Sequence, residues 1–246
     1  MSMFIGLCRA SSVEMLTDGA SIDRDDRLAA TKNKAIILPG CAGAISIRGN
    51  AKIIEMFEAN TCKAFAAAGS FDIGLAALRE GIPELADMPE GFPHFEALIG
   101  GMSETEGPQL AYFITKSDKP EIEACRLYVG RGLNANGIMR DENHRQVAIL
   151  ESNGGLAACG LHLAEGLRRE KASLKFESNS RERYAIGGHL DLTVITAAGA
   201  TTRRLHTWPD KVGEPINPFA GTNVTPLNPP MNRQQRRAAE RLRREA

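Results

Sequence analysis

The chain has 246 residues, of which 43% are hydrophobic and 24% are charged, and its 30 basic and 30 acidic residues give no net charge. These are ordinary values for a folded globular protein, and they exclude an intrinsically disordered chain. Apolar runs are interrupted within about ten residues, far short of the roughly 20 that span a bilayer, and the N-terminus lacks the layout of a signal peptide. We therefore expect a cytoplasmic protein with no role in a membrane.

Four strands are predicted in the first fifty residues, where apolar or alternating runs are separated by Ser, Asp, Gly and Pro. They cover residues 3–8, 13–17, 34–38 and 41–47. After Gly49 the apolar spacing becomes that of a helix, which predicts helices near residues 53–65 and 71–85. Ser70 is placed to cap the second helix, and Pro83 would kink or end it.

Strand patterns return in the second half of the chain, at residues 95–100, 110–115 and 125–129. The glycine-rich segment 130–137 lacks the spacing of a phosphate-binding loop and is interpreted as a turn from strand to helix. Helical spacing is patchy over residues 139–150 and strong over 155–171, and two strands follow at 190–196 and 201–208. Sets of strands that alternate with pairs of helices argue for stacked sheets with helices on their outer faces.

Two segments differ in composition from the domain predicted over residues 1–214. Residues 215–230 are rich in proline and predict a linker or an arm. Residues 231–246 hold six arginines and two glutamates, a charge of +4 that leaves −4 on the rest of the chain. This basic tail has no aromatic residue to stack on bases, so a solvated helix or a partner-docking arm is favoured over nucleic-acid binding. Its Asn-Arg-x-x-Arg-Arg-Ala-Ala pattern is similar to the tails of some phage and prophage proteins.

Cysteine and histidine spacing gives no sign of a metal. The five cysteines are widely separated and form no Cys-x-x-Cys pair, which argues against a disulfide framework and against a zinc site. The five histidines are scattered singly, although His189 and Asp191 lie two apart on a predicted strand. We therefore predict neither a metal site nor a cofactor.

Three residues near the N-terminus form a candidate site. Asp18 follows Ser2 by sixteen positions and Lys34 follows Asp18 by sixteen more, so hairpin strands could bring them to one end of a sheet. A serine hydroxyl needs a base, and removal of Met1 would free an α-amine with an ordinary pKa of about 7.7–8.0. A neighbouring lysine would disfavour the protonated amine, and a carboxylate would hold that lysine in place.

These segments resemble N-terminal-nucleophile hydrolases of the proteasome β-subunit type. In that family a mature Thr or Ser is followed by Asp and Lys at the same two steps. The matching segments are Ser2-Met-Phe-Ile-Gly-Leu, Leu16-Thr-Asp18-Gly-Ala-Ser and Lys34-Ala-Ile-Ile-Leu-Pro. Gly130-Arg131-Gly132 stands where the family has a Gly-Ser-Gly turn, and Gly187-Gly188 resembles its paired glycines. The likeness covers about residues 2–210.

The resemblance implies an α+β fold, a four-layer α/β/β/α sandwich of two stacked antiparallel sheets with a helix pair on each outer face. It also implies hydrolysis of peptide or protein substrates through an acyl-enzyme on Ser2, without a cofactor. In that scheme the Ser2 α-amine is the general base, Lys34 tunes it, Asp18 orients Lys34, and the Gly49 N–H stabilises the oxyanion. The family's subunits form rings, so a homo-oligomer is implied as well.

Gly130, Arg131 and Gly132 would line the same site, where Arg131 replaces the family's serine with a permanent cation. Arg131 therefore favours the main alternative, a catalytically inactive protein of the same fold. Such a protein would have a structural or assembly role and would dock through its Pro-rich arm and basic tail. Binding of nucleic acid by the tail is a third hypothesis and ranks last.

Overall fold

A computed structural model of the chain describes residues 3–89, 92–171 and 182–220. Within these ranges the protein has thirteen β-strands, in antiparallel sheets of six, five and two strands, and four α-helices. The predicted α+β class and the antiparallel pairing are thereby confirmed. Among the same residues, no helix is both long enough and apolar enough to cross a bilayer.

The strands are short, and most are bounded by glycine or polar turns. In chain order they are β1 (Phe4–Cys8), β2 (Val13–Asp18), β3 (Ala20–Ile22), β4 (Leu28–Thr31), β5 (Ala35–Ile37), β6 (Gly43–Gly49), β7 (Phe95–Ser103), β8 (Gly107–Ile114), β9 (Tyr128–Gly130), β10 (Gly132–Ala135), β11 (Ile138–Asp141), β12 (His189–Thr196) and β13 (Gly199–Thr207). The six-stranded sheet has the order β11-β10-β1-β2-β12-β13, and the five-stranded sheet has the order β5-β6-β7-β8-β9. Strands β3 and β4 form a separate hairpin.

The four helices come in two pairs along the chain. They are α1 (Ala51–Ala68), α2 (Phe71–Gly81), α3 (Arg145–Ser152) and α4 (Leu156–Arg168). The Ser70 hydroxyl accepts a hydrogen bond from the Ile73 N–H, so the predicted cap of α2 is confirmed. A 3-10 turn over Ile82–Asp87, with Pro83 near its start, ends this helical region.

Three apolar clusters join the sheets and the helices. The first packs α1 and α2 on the five-stranded sheet and includes the fully buried rings of Phe65 and Phe71. A second packs α3 and α4 on the six-stranded sheet, with Leu156 at its centre. The third contains residues of both larger sheets, among them Met15 and Leu98. Burial of each such large side chain stabilises the fold by about 1.5–3 kcal/mol.

One predicted element is wrong at its start. The segment expected to become helical at residue 139 forms strand β11, and the helix begins only at Arg145. The cause is the dipeptide Asn136-Gly137, whose φ angles of 50° and 86° make a tight turn between β10 and β11. Asn-Gly is the favoured sequence for a two-residue hairpin turn, because both residues tolerate positive φ.

The described chain ends on the β3–β4 hairpin. Ile216 is buried beside Leu28, whose N–H donates to the Glu214 carbonyl at 2.9 Å. The segment predicted as a linker, residues 215–230, therefore begins with packed residues. Positions 221–246, which include the basic tail, lie outside the described residues.

Candidate active site

The structure brings Asp18 and Lys34 together. Asp18 is the last residue of β2, and Lys34 immediately precedes β5 in the other large sheet. The Lys34 ammonium donates to Asp18 Oδ1 at 3.0 Å, and the two side chains are 5% and 0% exposed. A buried ion pair of this kind fixes the relative position of the two sheets at this end.

Asp18 also holds the N-terminal strand. Its Oδ1 accepts the Met3 backbone N–H at 2.7 Å, while Oδ2 accepts the N–H groups of Ala20 and Gly187 at 3.1 and 3.3 Å. Within the described residues, Asp18 thus accepts four hydrogen bonds, from three separate segments and from Lys34. The carboxylate is held in one orientation by these donors.

Lys34 is a perturbed lysine. Burial lowers its pKa from the ordinary value, the Asp18 carboxylate opposes that change, and the charges of Lys32 and Arg48 add to the lowering. The side chain is therefore more ready to lose its proton than a surface lysine. Such a group can transfer protons or lower the pKa of a neighbouring amine.

Ser2 lies outside the described residues. Its neighbour Met3 is 1% exposed, and the Met3 N–H is the one that Asp18 accepts. The backbone bond between Ser2 and Met3 therefore leads directly to the Asp18–Lys34 pair.

Gly49 lies at the same end of the five-stranded sheet as Lys34. Strands β5 and β6 are antiparallel with Ala35 opposite Ser46, so the start of β5 faces the end of β6. Gly49 ends β6 with a φ of 147°, and a Cβ there would come within 2.6 Å of the His94 carbonyl oxygen. A residue without a side chain is required at this point.

Gly130, Arg131 and Gly132 are at the opposite end of β1, which corrects their predicted place at the site. Strand β10 runs antiparallel to β1 with Leu7 opposite Leu133, so its first residue lies near Cys8 rather than near Met3. Arg131 is a neighbour of Cys8, and its Nε lies 3.6 Å from Glu142 Oε2 at the surface. The five residues of β1, roughly 17 Å of strand, separate Arg131 from Asp18.

A cluster that the sequence analysis missed lies beside the site. The Arg48 guanidinium is 4.3 Å from the centroid of the Phe4 ring and donates to Asn136 Oδ1 at 3.0 Å. Asn136 Oδ1 also accepts the Phe4 N–H at 3.4 Å, and Arg48 Nε donates to Glu96. The Asn-Gly dipeptide was the signal for Asn136, since it predicts a hairpin tip.

Glu96 of β7 is the acidic member of this cluster. Its Oε2 accepts the Tyr112 hydroxyl at 2.6 Å, and both residues are buried. Burial opposes the charged form of Glu96, but the Arg48 charge and the hydrogen bonds from Arg48 and Tyr112 outweigh it, so the pKa of Glu96 is lowered. For Tyr112, burial and the Glu96 charge both raise the pKa.

His189 and Asp191 flank Leu190 of β12, the residue opposite Asp18 of β2. The two side chains approach to 3.1 Å, and Arg204 Nε donates to the second Asp191 oxygen at 3.1 Å. Burial lowers the pKa of His189, with Asp191 opposing. The ring fills the space next to Gly19, where a Cβ would come within 2.3 Å of it. Gly19 is therefore needed for the chain to turn past this histidine.

A second buried ion pair supports the paired glycines. The Arg168 guanidinium contacts both oxygens of Asp210, at 2.5 and 2.8 Å, and stacks 4.8 Å from the Trp208 ring. Asp210 also accepts the Gly188 N–H at 2.8 Å. Because the Gly187 N–H binds Asp18, the two buried carboxylates hold adjacent residues of one segment.

Two open grooves of the described surface lie away from this site. Their volumes are about 580 and 400 Å³, and both are bounded by Arg79 of α2 and Val129 of β9. All five cysteines are free thiols. In the described part of the chain, no three His, Cys, Asp or Glu side chains lie together as metal ligands would.

Comparison with known proteins adds no relative: neither a scan against protein-family models nor a search of curated proteins finds a significant match.

Proposed function

We propose that the protein is an N-terminal-nucleophile amidohydrolase of the proteasome β-subunit type, which hydrolyses peptides through Ser2 after removal of Met1. The observation that carries this proposal is the buried Asp18–Lys34 pair, whose carboxylate also accepts the Met3 N–H. That N–H is part of the peptide bond to Ser2. A buried lysine with a lowered pKa beside the N-terminal strand can tune the pKa of the amine in this chemistry. Without such a role, burial of its charge would only destabilise the fold.

In the proposed reaction the Ser2 hydroxyl oxygen attacks the carbonyl carbon of the scissile amide. The Ser2 α-amine takes the hydroxyl proton, and the Gly49 N–H donates to the oxyanion that forms. The C–N bond then breaks, the leaving amine takes the proton, and an ester to Ser2 remains. Water, activated by the same α-amine, hydrolyses the ester and frees the hydroxyl. Lys34 disfavours protonation of the amine, and Asp18 orients Lys34.

The proposed fold is the four-layer α/β/β/α sandwich. Its support is the distribution of the apolar clusters: one helix pair packs on each large sheet, and the third cluster is shared between the sheets. In this arrangement the end of β1 that carries Met3 and the end of β5 that carries Lys34 meet at the same end of the sandwich. The homo-oligomeric ring, the peptide substrate and a docking role for the basic tail are proposed from the family resemblance.

The catalytically inactive alternative depended on Arg131 at the site. Arg131 lies at the far end of β1, where its guanidinium cannot reach Asp18. That residue therefore no longer favours a structural or assembly protein over an enzyme.

The decisive test combines the mass of the purified protein with peptide hydrolysis. We expect a mass that lacks Met1, and a Ser2→Ala variant whose hydrolysis of a fluorogenic peptide library falls at least 1,000-fold, since the acyl-enzyme cannot form. Ser11→Ala is the matched control, because Ser11 is an exposed turn residue at the other end of β1. Retention of Met1, or equal activity of Ser2→Ala and wild type, would refute the proposal.

A further inference from the structure

Arg48 joins three strands at the candidate site. It lies on β6, its guanidinium stacks on the Phe4 ring of β1, and its nitrogens donate to Asn136 at the β10–β11 turn and to Glu96 of β7. Phe4 is held twice, since its ring meets Arg48 and its N–H is accepted by the same Asn136 oxygen. The electrostatic attraction between a guanidinium and the face of an aromatic ring is strongest where both are removed from water, as they are here.

The position of Arg48 does not suit direct contact with a substrate. Its side chain is 10% exposed and is engaged with Glu96, which is equally buried. What Arg48 does contact is the residue two positions after Ser2.

Arg48 is also a source of positive charge at this end of the sheets. Strands β5 and β6 are antiparallel with Ala35 opposite Ser46, which brings Lys34 alongside the segment Ile47-Arg48. The Arg48 charge lowers the pKa of Lys34 in the same direction as that of Lys32. The charged and titratable groups that face this region from the packed elements include Asp18 on β2, Lys32 and Lys34 before β5, His94 before β7, Glu96 on β7, Tyr112 on β8, His189 and Asp191 on β12, and Arg204 on β13.

We infer that Arg48 is a positioning residue for the N-terminal nucleophile: it fixes β1 at Phe4 and adds a second positive charge beside Lys34. This inference rests on the proposed function, because it assigns Arg48 a role toward the Ser2 amine. The fixed strand keeps the hydroxyl and amine in register with Gly49. The added charge favours the neutral amine, which is the form that accepts a proton.

Two variants separate the two roles. Arg48→Met removes both the clamp and the charge, so kcat should fall roughly 10- to 100-fold with KM changed less than about threefold. The acid limb of the kcat/KM profile should also move to higher pH by about half a unit to one unit. Arg48→Lys keeps the charge but loses the planar stack, so kcat should fall while the limb stays in place.

Arg126→Met is the matched control. Arg126 also stacks on an aromatic ring, that of Tyr128, but its side chain is 63% exposed beside β9. We expect this variant to keep the wild-type kcat and pH profile. A folded Arg48→Met protein with an unchanged kcat and an unchanged acid limb of the kcat/KM profile would overturn the inference. It would also be overturned if the acid limb of Arg48→Lys moved as far as that of Arg48→Met.

A second measurement does not depend on activity. Competitive acylation of the N-terminal amine, followed by mass spectrometry of the N-terminal peptide across pH, gives the pKa of the amine in each variant. We expect Arg48→Met to raise it and Arg48→Lys to leave it unchanged. A wild-type protein that lacks Met1 but hydrolyses no peptide would refute the proposed function alone, whereas equal amine pKa values would refute the charge role of Arg48 alone.

Discussion

The Asp18 carboxylate connects the N-terminal strand, the strand after Lys34 and the Gly187 backbone by hydrogen bonds. These are parts of the chain that lie far apart in sequence. Because the Lys34 ammonium is buried with Asp18 as its partner, the free energy of unfolding should depend strongly on this carboxylate.

Replacement of Asp18 by Asn should destabilise the protein by about 3–5 kcal/mol, because the buried Lys34 charge would lose its ion pair with Asp18. Urea denaturation measures this cost. Addition of Lys34→Met to Asp18→Asn should recover part of it, since the buried charge is then absent. Strict additivity of the two changes would contradict the pairing. Asp25→Asn, at an exposed turn position, should change stability by less than about 0.5 kcal/mol.

His189 should give the stability a dependence on pH. Its pKa is lowered in the folded protein, so as pH falls the unfolded chain binds this proton first. The contribution of neutral His189 to the free energy of unfolding is therefore fully present above the unfolded pKa of about 6.5. It decreases as pH falls below that value, by up to about 1.4 kcal/mol per pH unit. The slope between pH 6.5 and 5 in urea denaturation measures the effect. His189→Asn should flatten that slope, and a variant slope equal to that of wild type would contradict the assignment. His162→Asn is the control and should keep it.

At the scale of elements, apolar spacing and cap residues are sufficient to predict those strands and helices that bury one face. Strands β1 and β2 and helix α2 were predicted within about one to four residues of their bounds, because apolar periodicity and the Ser70 cap are local signals. The hairpins β3–β4 and β10–β11 were missed. Their strands have only three or four residues, too few to show a periodic pattern, and Asn136-Gly137 was the one strong turn signal.

The Arg168–Asp210 ion pair joins α4 to the segment before β12, where Asp210 also accepts the Gly188 N–H. Asp210→Asn should lower the free energy of unfolding by about 3–5 kcal/mol, because the Arg168 guanidinium is 0% exposed and would lose its carboxylate partner. For a protein of this size that corresponds to a fall of roughly 6–20 °C in Tm, which calorimetry measures.

The control for this prediction is an ion pair at the surface. Glu123 and Arg126 are 69% and 63% exposed, and Glu123→Gln should cost less than about 1 kcal/mol. Equal losses in the two variants would show that burial of Arg168 does not set the cost. The double variant Arg168→Leu with Asp210→Leu should be less destabilised than Asp210→Asn.

At the scale of the whole molecule, contacts between distant segments leave no local pattern in the sequence. The sixteen-residue spacing and the family resemblance both predicted that Asp18 and Lys34 meet, but the expectation of one shared sheet is wrong. Asp18 ends a strand of the six-stranded sheet and Lys34 precedes a strand of the five-stranded sheet, so their contact follows from packing. Arg131 was misplaced for the same reason. A Gly-x-Gly motif says nothing about which strand it will pair with, and the antiparallel register of β10 on β1 puts Arg131 at the wrong end. Arg48 escaped notice because its partners come from β1, β7 and the β10–β11 turn.

The pairing of β1 with β10 also orders events in time. A ribosome adds roughly 5–20 residues per second, so β10 emerges several seconds or more after β1, and until then one side of β1 has no neighbour. In the finished protein Met3 is 1% exposed. An aminopeptidase that removes Met1 therefore has its best access on the nascent chain, before the sheet closes. Under the proposed function, exposure of the Ser2 amine would then depend on the pace of translation.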